Sequence, residues 1–289
     1  MRPDRKTQRG FTLVEMVTVI VITAILSSVV AIFISGPIKG YVDSARRAEL
    51  TDNADIALRR IGRDLRRALP NSVRVTSVGG VWYLEYLEVR TGGRYRGGSS
   101  GAAACPAGTD ELEIGYADTC FKTLGNLPDR ASIATSDFVV VYNLGSGFAN
   151  SDAYASGAVS GGNKSKVTAA STSGSEDQID FESNIFNFGS PGNRFQIVSG
   201  PVSYVCNPAA GTLTRYWGYP IQATQPNDAT AAPLSTASSA LLASAVSRCS
   251  FQYAPGVTER SGLVSLALRL TREGESVSLY HETHVSNVP

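Results

Sequence analysis

Few stretches of this sequence hold residue types at spacings suited to chemistry. GGSSG, residues 97–101, fits the G-x-S-x-G pattern of serine nucleophiles. That pattern works when a strand precedes the serine and a helix follows it, so that a sharp turn presents the hydroxyl. Ser99 instead lies in a Gly-rich run with neither element expected beside it, and no catalytic role is expected of it. HETH, residues 281–284, holds both histidines of the chain. On a strand, His281 and His284 point to opposite faces and do not converge on one metal. One is expected to be packed and the other to lie at the surface. Cys105, Cys120, Cys206 and Cys249 show no C-x-x-C spacing and have no histidine near them. Metal ligation is therefore not expected, and the acidic residues do not follow a calcium-loop spacing. With no phosphate-binding loop either, the expectation is a chain with no catalytic residue, metal or cofactor, and no enzyme activity.

The remaining candidate is one carboxylate. Glu15 is the single charge in FTLVEMVTVIVITAILSSVVAIFI, the 24 residues from 11 to 34. A helix of that length spans about 36 Å, enough to cross a hydrocarbon core of roughly 30 Å. A carboxylate there costs about 3 kcal/mol even on lenient insertion scales, so such a residue is by default functional and calls for a partner. Glu15 lies near one end, where snorkelling relieves part of that cost. Arg2, Arg5, Lys6 and Arg9 precede the run, and SGPIKGYVD after it is far less basic. The positive-inside rule then predicts a cytoplasmic N-terminus with the rest of the chain across the membrane. A secretory signal peptide would have an apolar core of only about 7–15 residues, so Ser35 and Gly36 make a weak cleavage site and a retained anchor is expected.

The elements that would position these residues follow from pattern. The net charge of +1 over 289 residues hides a gradient. Residues 1–10 are net +3, residues 37–69 carry eight basic and five acidic side chains, and residues 70–289 carry 14 basic and 18 acidic ones. A head of that sign does not suit nucleic acid. Beyond Pro37 the text reads as an amphipathic helix ending before Pro70, with Ala54, Leu58, Ile61, Leu65 and Leu69 on one face. Arg59, Arg60, Arg63, Arg66 and Arg67 crowd the other side. That side is expected to be a solvated face first, a subunit contact second and a phosphate contact third. From residue 72 strands are expected. SVRVTSV and VWYLEYLEV flank Gly79-Gly80 as a hairpin, and DFVVVYNL, RFQIV, PVSYVC and GTLTRYW are further β runs. GLVSLALRLT and SVSLYHETHV flank REGE as a second hairpin with one buried side. Gly/Ser/Ala-rich stretches at 91–104, 145–178 and 222–240 are expected to be long surface loops. In an exported domain the even cysteine count favours two disulfides, and of three pairings the local ones, Cys105–Cys120 and Cys206–Cys249, are expected.

Gly10-Phe11-Thr12-Leu13-Val14-Glu15, behind a short basic leader and ahead of the apolar run, resembles the class III leader junction of type IV pilins and type II secretion pseudopilins. The resemblance implies cleavage by prepilin peptidase between Gly10 and Phe11 and methylation of the new Phe11 amine. It also implies that Glu15 neutralises that amine on a neighbouring subunit, since a carboxylate in a low-dielectric bundle is tolerable when paired. The fold implied is α+β: a long N-terminal helix, half membrane-spanning and half amphipathic, packed on an antiparallel β head with long Gly/Ser-rich loops. Residues 1–10 would be the leader, 11–35 the transmembrane helix, 36–70 the amphipathic helix and 71–289 the head. Within these families RRIGRDLRRALPNSVRV, FQIVSGPVSYVCNPAAGTLTRYWGYP and the ending HVSNVP resemble the O-type minor pilins of mannose-sensitive haemagglutinin pili. The implied role is a minor pilin of the complex that primes or caps a pilus, displayed at the cell surface from the bacterial inner membrane. Other minor pilins, the major pilin, the inner-membrane platform, prepilin peptidase and membrane lipid would be its partners, and nucleic acid would not. J-type pseudopilins share much of the layout, and a DNA-binding minor pilin used in uptake is a further alternative.

Overall fold

The computed structural model describes residues 10–98, 111–155, 161–256 and 261–289. One helix, α1, runs unbroken over Leu13–Leu65. Pro37 lies inside it. A proline has no amide to give to the Phe33 carbonyl, so one ladder bond is missing there while the helix continues on both sides. The sequence led us to expect helix up to Pro70, but α1 stops five residues short of Pro70. The Arg67 and Ala68 amides turn back to the carbonyls of Asp64 and Leu65, at 3.0 and 3.1 Å, which tightens the last turn. The chain then pairs with a strand: Leu69 donates to the Leu87 carbonyl and Val89 donates to that of Arg67, both at 2.8 Å.

The chain divides into two compact units, residues 1–49 and 50–289. In the second unit the strands are β1 (Arg74–Val78), β2 (Val81–Arg94), β3 (Gly97–Gly98), β4 (Leu112–Glu113), β5 (Ala117–Lys122), β6 (Phe138–Val140) and β7 (Lys164–Ser173). They continue with β8 (Glu176–Ile185), β9 (Arg194–Asn207), β10 (Thr212–Trp217), β11 (Ser238–Ser244), β12 (Val246–Ala254), β13 (Ser261–Arg272) and β14 (Glu275–Ser286). Among the described residues these make a nine-stranded sheet in the order β1-β2-β9-β6-β7-β8-β5, with β10 and β11 added beside β9. A three-stranded sheet β12-β13-β14 and the short β3-β4 pair complete them. The two large sheets are antiparallel throughout. The architecture is α+β, a long N-terminal helix with antiparallel sheets, as the pilin-like reading requires.

Both expected hairpins form. Gly79 and Gly80 have φ of 58° and 83°, the two left-handed positions that a tight β1–β2 turn needs. Glu273 and Gly274 do the same between β13 and β14, at 50° and 87°. RFQIV and PVSYVC are one continuous strand, β9, rather than two. The Gly/Ser/Ala tracts are not loops throughout. β7 and β8 form a hairpin inside and beyond 145–178, β2 extends through Arg94, and β11 begins at Ser238. β7, KSKVTAASTS, has almost no large apolar residue. It is held by pairing with β6 and β8, while Ile179 and Phe181 of β8 supply the buried side.

Leu50, Ala54, Ala57, Leu58, Ile61 and Leu65 of α1 are buried in one cluster with residues of both sheets, among them Tyr204, Phe251, Leu266 and Leu268. Cys206 of β9 and Cys249 of β12 are bonded within that cluster, which ties the large sheet to the small one. The Cys206–Cys249 pairing is thus the expected one. The Cys105–Cys120 pairing lies outside the described residues at its Cys105 end. A polar clasp closes the end of the helix: Asp64 accepts from the Tyr204 hydroxyl at 2.5 Å and from Arg215 Nε at 3.1 Å. A second clasp centres on Glu85, fully buried and bound by Arg74 Nε at 2.8 Å and the Tyr219 hydroxyl at 3.2 Å. Burial pushes the Glu85 carboxyl pKa up, and Arg74 opposes that shift.

Candidate functional site

The candidate site begins where α1 begins. Thr12 is the last residue before the helix, and its hydroxyl accepts the Glu15 amide at 3.2 Å. This is the Thr side of a Thr-x-x-Glu capping box, which satisfies one of the free amides at a helix start. It also puts the Glu15 charge in the first turn, where the helix dipole favours an anion. The Thr12 cap was missed in reading the sequence, although TLVE ahead of an apolar run is its signature. The Glu15 carboxylate itself has no hydrogen bond or ion pair among the described residues. Phe11 and Glu15 border one shallow notch, with Met16, Val19 and Ile20. Gly10, next to Phe11, has nothing within 4 Å of where a side chain would be.

Around this start the helix is apolar on every side and bare. Every residue from 10 to 42 is exposed, and Phe11 and Leu13 are 77% and 81% accessible. Several hydroxyls of this stretch are satisfied within the helix. The hydroxyls of Thr18, Thr23, Ser28 and Ser35 donate to carbonyls three or four residues back. That is how hydroxyls are tolerated in lipid. By length and composition this stretch can cross a membrane, and none of its apolar window is buried.

The other candidates lie in the second unit. Arg59, Arg60, Arg63, Arg66 and Arg67 are all exposed. Arg59 pairs with Asp55 at 2.7 Å, and Arg67 reaches Glu88 at 3.4 Å. His281 and His284 lie on β14, one half-buried and the other exposed, as expected for a strand. His281 packs over Gly62 of α1: a Cβ on Gly62 would stand 2.7 Å from the imidazole Nε2. Gly62 is therefore what lets the helix approach β14. No group of three or more His, Cys, Asp or Glu suited to a metal occurs among the described residues. Ser99 lies outside the described residues.

Residues 5–31 match the family described as the prokaryotic N-terminal methylation motif. No curated protein matches the chain. No solved structure matches it either. The motif is that of prepilin-peptidase substrates, the type IV pilins and pseudopilins, which assemble with other pilins. It supports a type IV pilin-like chain, and the bare apolar helix and the antiparallel head fit a membrane-anchored one.

Proposed function

We propose that this chain is a minor pilin, a structural subunit rather than an enzyme. It is cut between Gly10 and Phe11, methylated on Phe11 and built into a type IV pilus, in the complex that primes assembly. The observation that carries this reading is an exposed Phe11 and an unpaired Glu15 on one notch at a capped helix start, inside the methylation motif. Cleavage turns Phe11 into a cationic amine. Glu15 of an adjoining subunit is the group that can neutralise it, and the pairing sets the axial register of the two helices. The basic leader puts the N-terminus on the cytoplasmic side and the head in the periplasm. The second-half resemblance to O-type minor pilins of mannose-sensitive haemagglutinin pili favours a pilus over a J-type secretion pseudopilus.

Mass spectrometry of the membrane-extracted protein tests the processing. We expect an N-terminus at Phe11 bearing one added methyl; an intact leader, or a cut near Gly36, would falsify it. Glu15→Ala should leave cleavage intact and impair incorporation. Normal incorporation of that variant would remove the role given to Glu15. Because Glu15 is there to meet the amine of an adjoining subunit, at least one subunit should lie above this one, and a cross-link map placing it outermost would refute that.

A further inference from the structure

The outer face of the end of α1 and the turn that follows it, residues 56–66, carries charge that the fold leaves unanswered. Arg60, Arg63 and Arg66 are exposed and make no hydrogen bond or ion pair among the described residues. Arg63 stands three or four residues from Arg59, Arg60, Arg66 and Arg67. Like charges at those spacings each cost a helix about 0.2–0.5 kcal/mol. Ile56 sits one turn before Arg59 and Arg60 and two turns before Arg63, and it is 64% exposed. Among the described residues it is the one large apolar side chain exposed on Leu50–Leu65. An exposed apolar side chain followed by unpaired guanidinium groups is the composition of a protein–protein contact, where arginine is enriched and a few central side chains dominate binding.

We infer that this face docks on the acidic head of an adjoining pilin-like subunit, whose carboxylates meet Arg60, Arg63 and Arg66 and which offers an apolar seat to Ile56. The inference rests on the proposed function. Charge complementarity selects the occupant. Residues 37–69 are net +3 (eight basic, five acidic) and residues 70–289 are net −4 (14 basic, 18 acidic). Subunits of this composition therefore present opposite signs to one another, helix to head. Nucleic acid suits the face less well. Phosphates have no use for Ile56, and the aromatic platforms that hold single strands are absent from Leu50–Leu65.

The test uses the full-length chain in its own membrane. Arg60, Arg63 and Arg66 are changed together to Glu, and separately to Lys, and Ile56 to Ala. Processing is read as the mass of the N-terminus, folding as protease resistance of the head, and docking as the amount recovered in sheared surface fibres. We expect the Glu variant to be processed and folded but depleted about tenfold or more from fibres, the Lys variant to keep more than about half, and Ile56→Ala to lose about threefold or more. Undiminished incorporation of the Glu variant overturns the inference, as does equal loss in the Lys and Glu variants. A gel shift with duplex DNA at two salt concentrations completes the test. Steeply salt-dependent binding by the detergent-solubilised wild type, abolished in the Glu variant, would assign the face to nucleic acid and overturn it too. An intact leader in the wild type removes the proposed function and this inference together. A processed wild type with an indifferent Glu variant removes the inference alone.

Discussion

The first and second stretches of α1 belong to one unbroken helix but are built for different surroundings. Through residue 42 every side chain is exposed and most are apolar. From Leu50 the apolar positions contract to one face, Leu50, Ala54, Leu58, Ile61 and Leu65, and that face is buried. Helical hydrogen bonds hold in both stretches, so they do not distinguish them. What differs is the medium each side chain was chosen for. The first stretch is apolar on all sides and suits hydrocarbon. The second needs the two sheets and their disulfide.

The comparison can be broken at four points. The largest effect is expected at Cys206–Cys249, whose cysteines are 43 positions apart in sequence and which joins the sheets around the second stretch. Replacing both cysteines by serine should cost the head about 4 kcal/mol, measured by denaturant unfolding followed by tryptophan fluorescence. Next, Ile61→Ala should cost about 3 kcal/mol by cavity formation, whereas Ile25→Ala should move the same transition by less than about 0.5 kcal/mol. Equal effects would mean that the two stretches are not distinct.

Third, the Lys164 ammonium donates to the carbonyls of Ala153, at 2.7 Å, and Ala155, and burial lowers its pKa from 10.5 to about 8, with Asp152 opposing. The unfolded chain therefore holds more protons between those two pH values. Stability should rise with pH across that window by on the order of 2 kcal/mol, and Lys164→Met should flatten the rise. The first stretch of α1 takes no part in this, so Ile25→Ala should leave the profile alone. The smallest effect is at Gly62. Gly62→Ala forces the His281 ring to shift, at about 1–2 kcal/mol, against a gain of up to about 1 kcal/mol in helix propensity. His281→Ala in the same chain should relieve the clash, and strict additivity of the two changes would refute the contact.

Much of this could be read from sequence where the signal is local. The apolar run, the buried face of α1 and the Gly79-Gly80 and Glu273-Gly274 turns are each written in neighbouring residues. β7 was missed because its polar text has no period of its own and its stability comes from β6 and β8. The early end of α1 was missed because Ala68 and Leu69 are claimed by β2, a competition no propensity records. Glu15 stood out as a charge in an apolar run, while its cap Thr12 did not, since threonine is unremarkable there until the helix start is known. The arginine face was legible as charge. Which arginines stay unpaired depends on Asp55 and on Glu88, and Glu88 comes from another element.

The contact between Gly62 and His281 joins residues 219 positions apart (281 − 62). At about 5–20 residues per second, synthesis takes roughly 10–40 s to cover that distance. For all that time the apolar face of Leu50–Leu65 has no complete cover. β14, the strand that completes the small sheet, is made long after that helix segment. A nascent chain of this design therefore depends on something else to shield the face in the interval, or on being kept unfolded until the β13–β14 hairpin arrives.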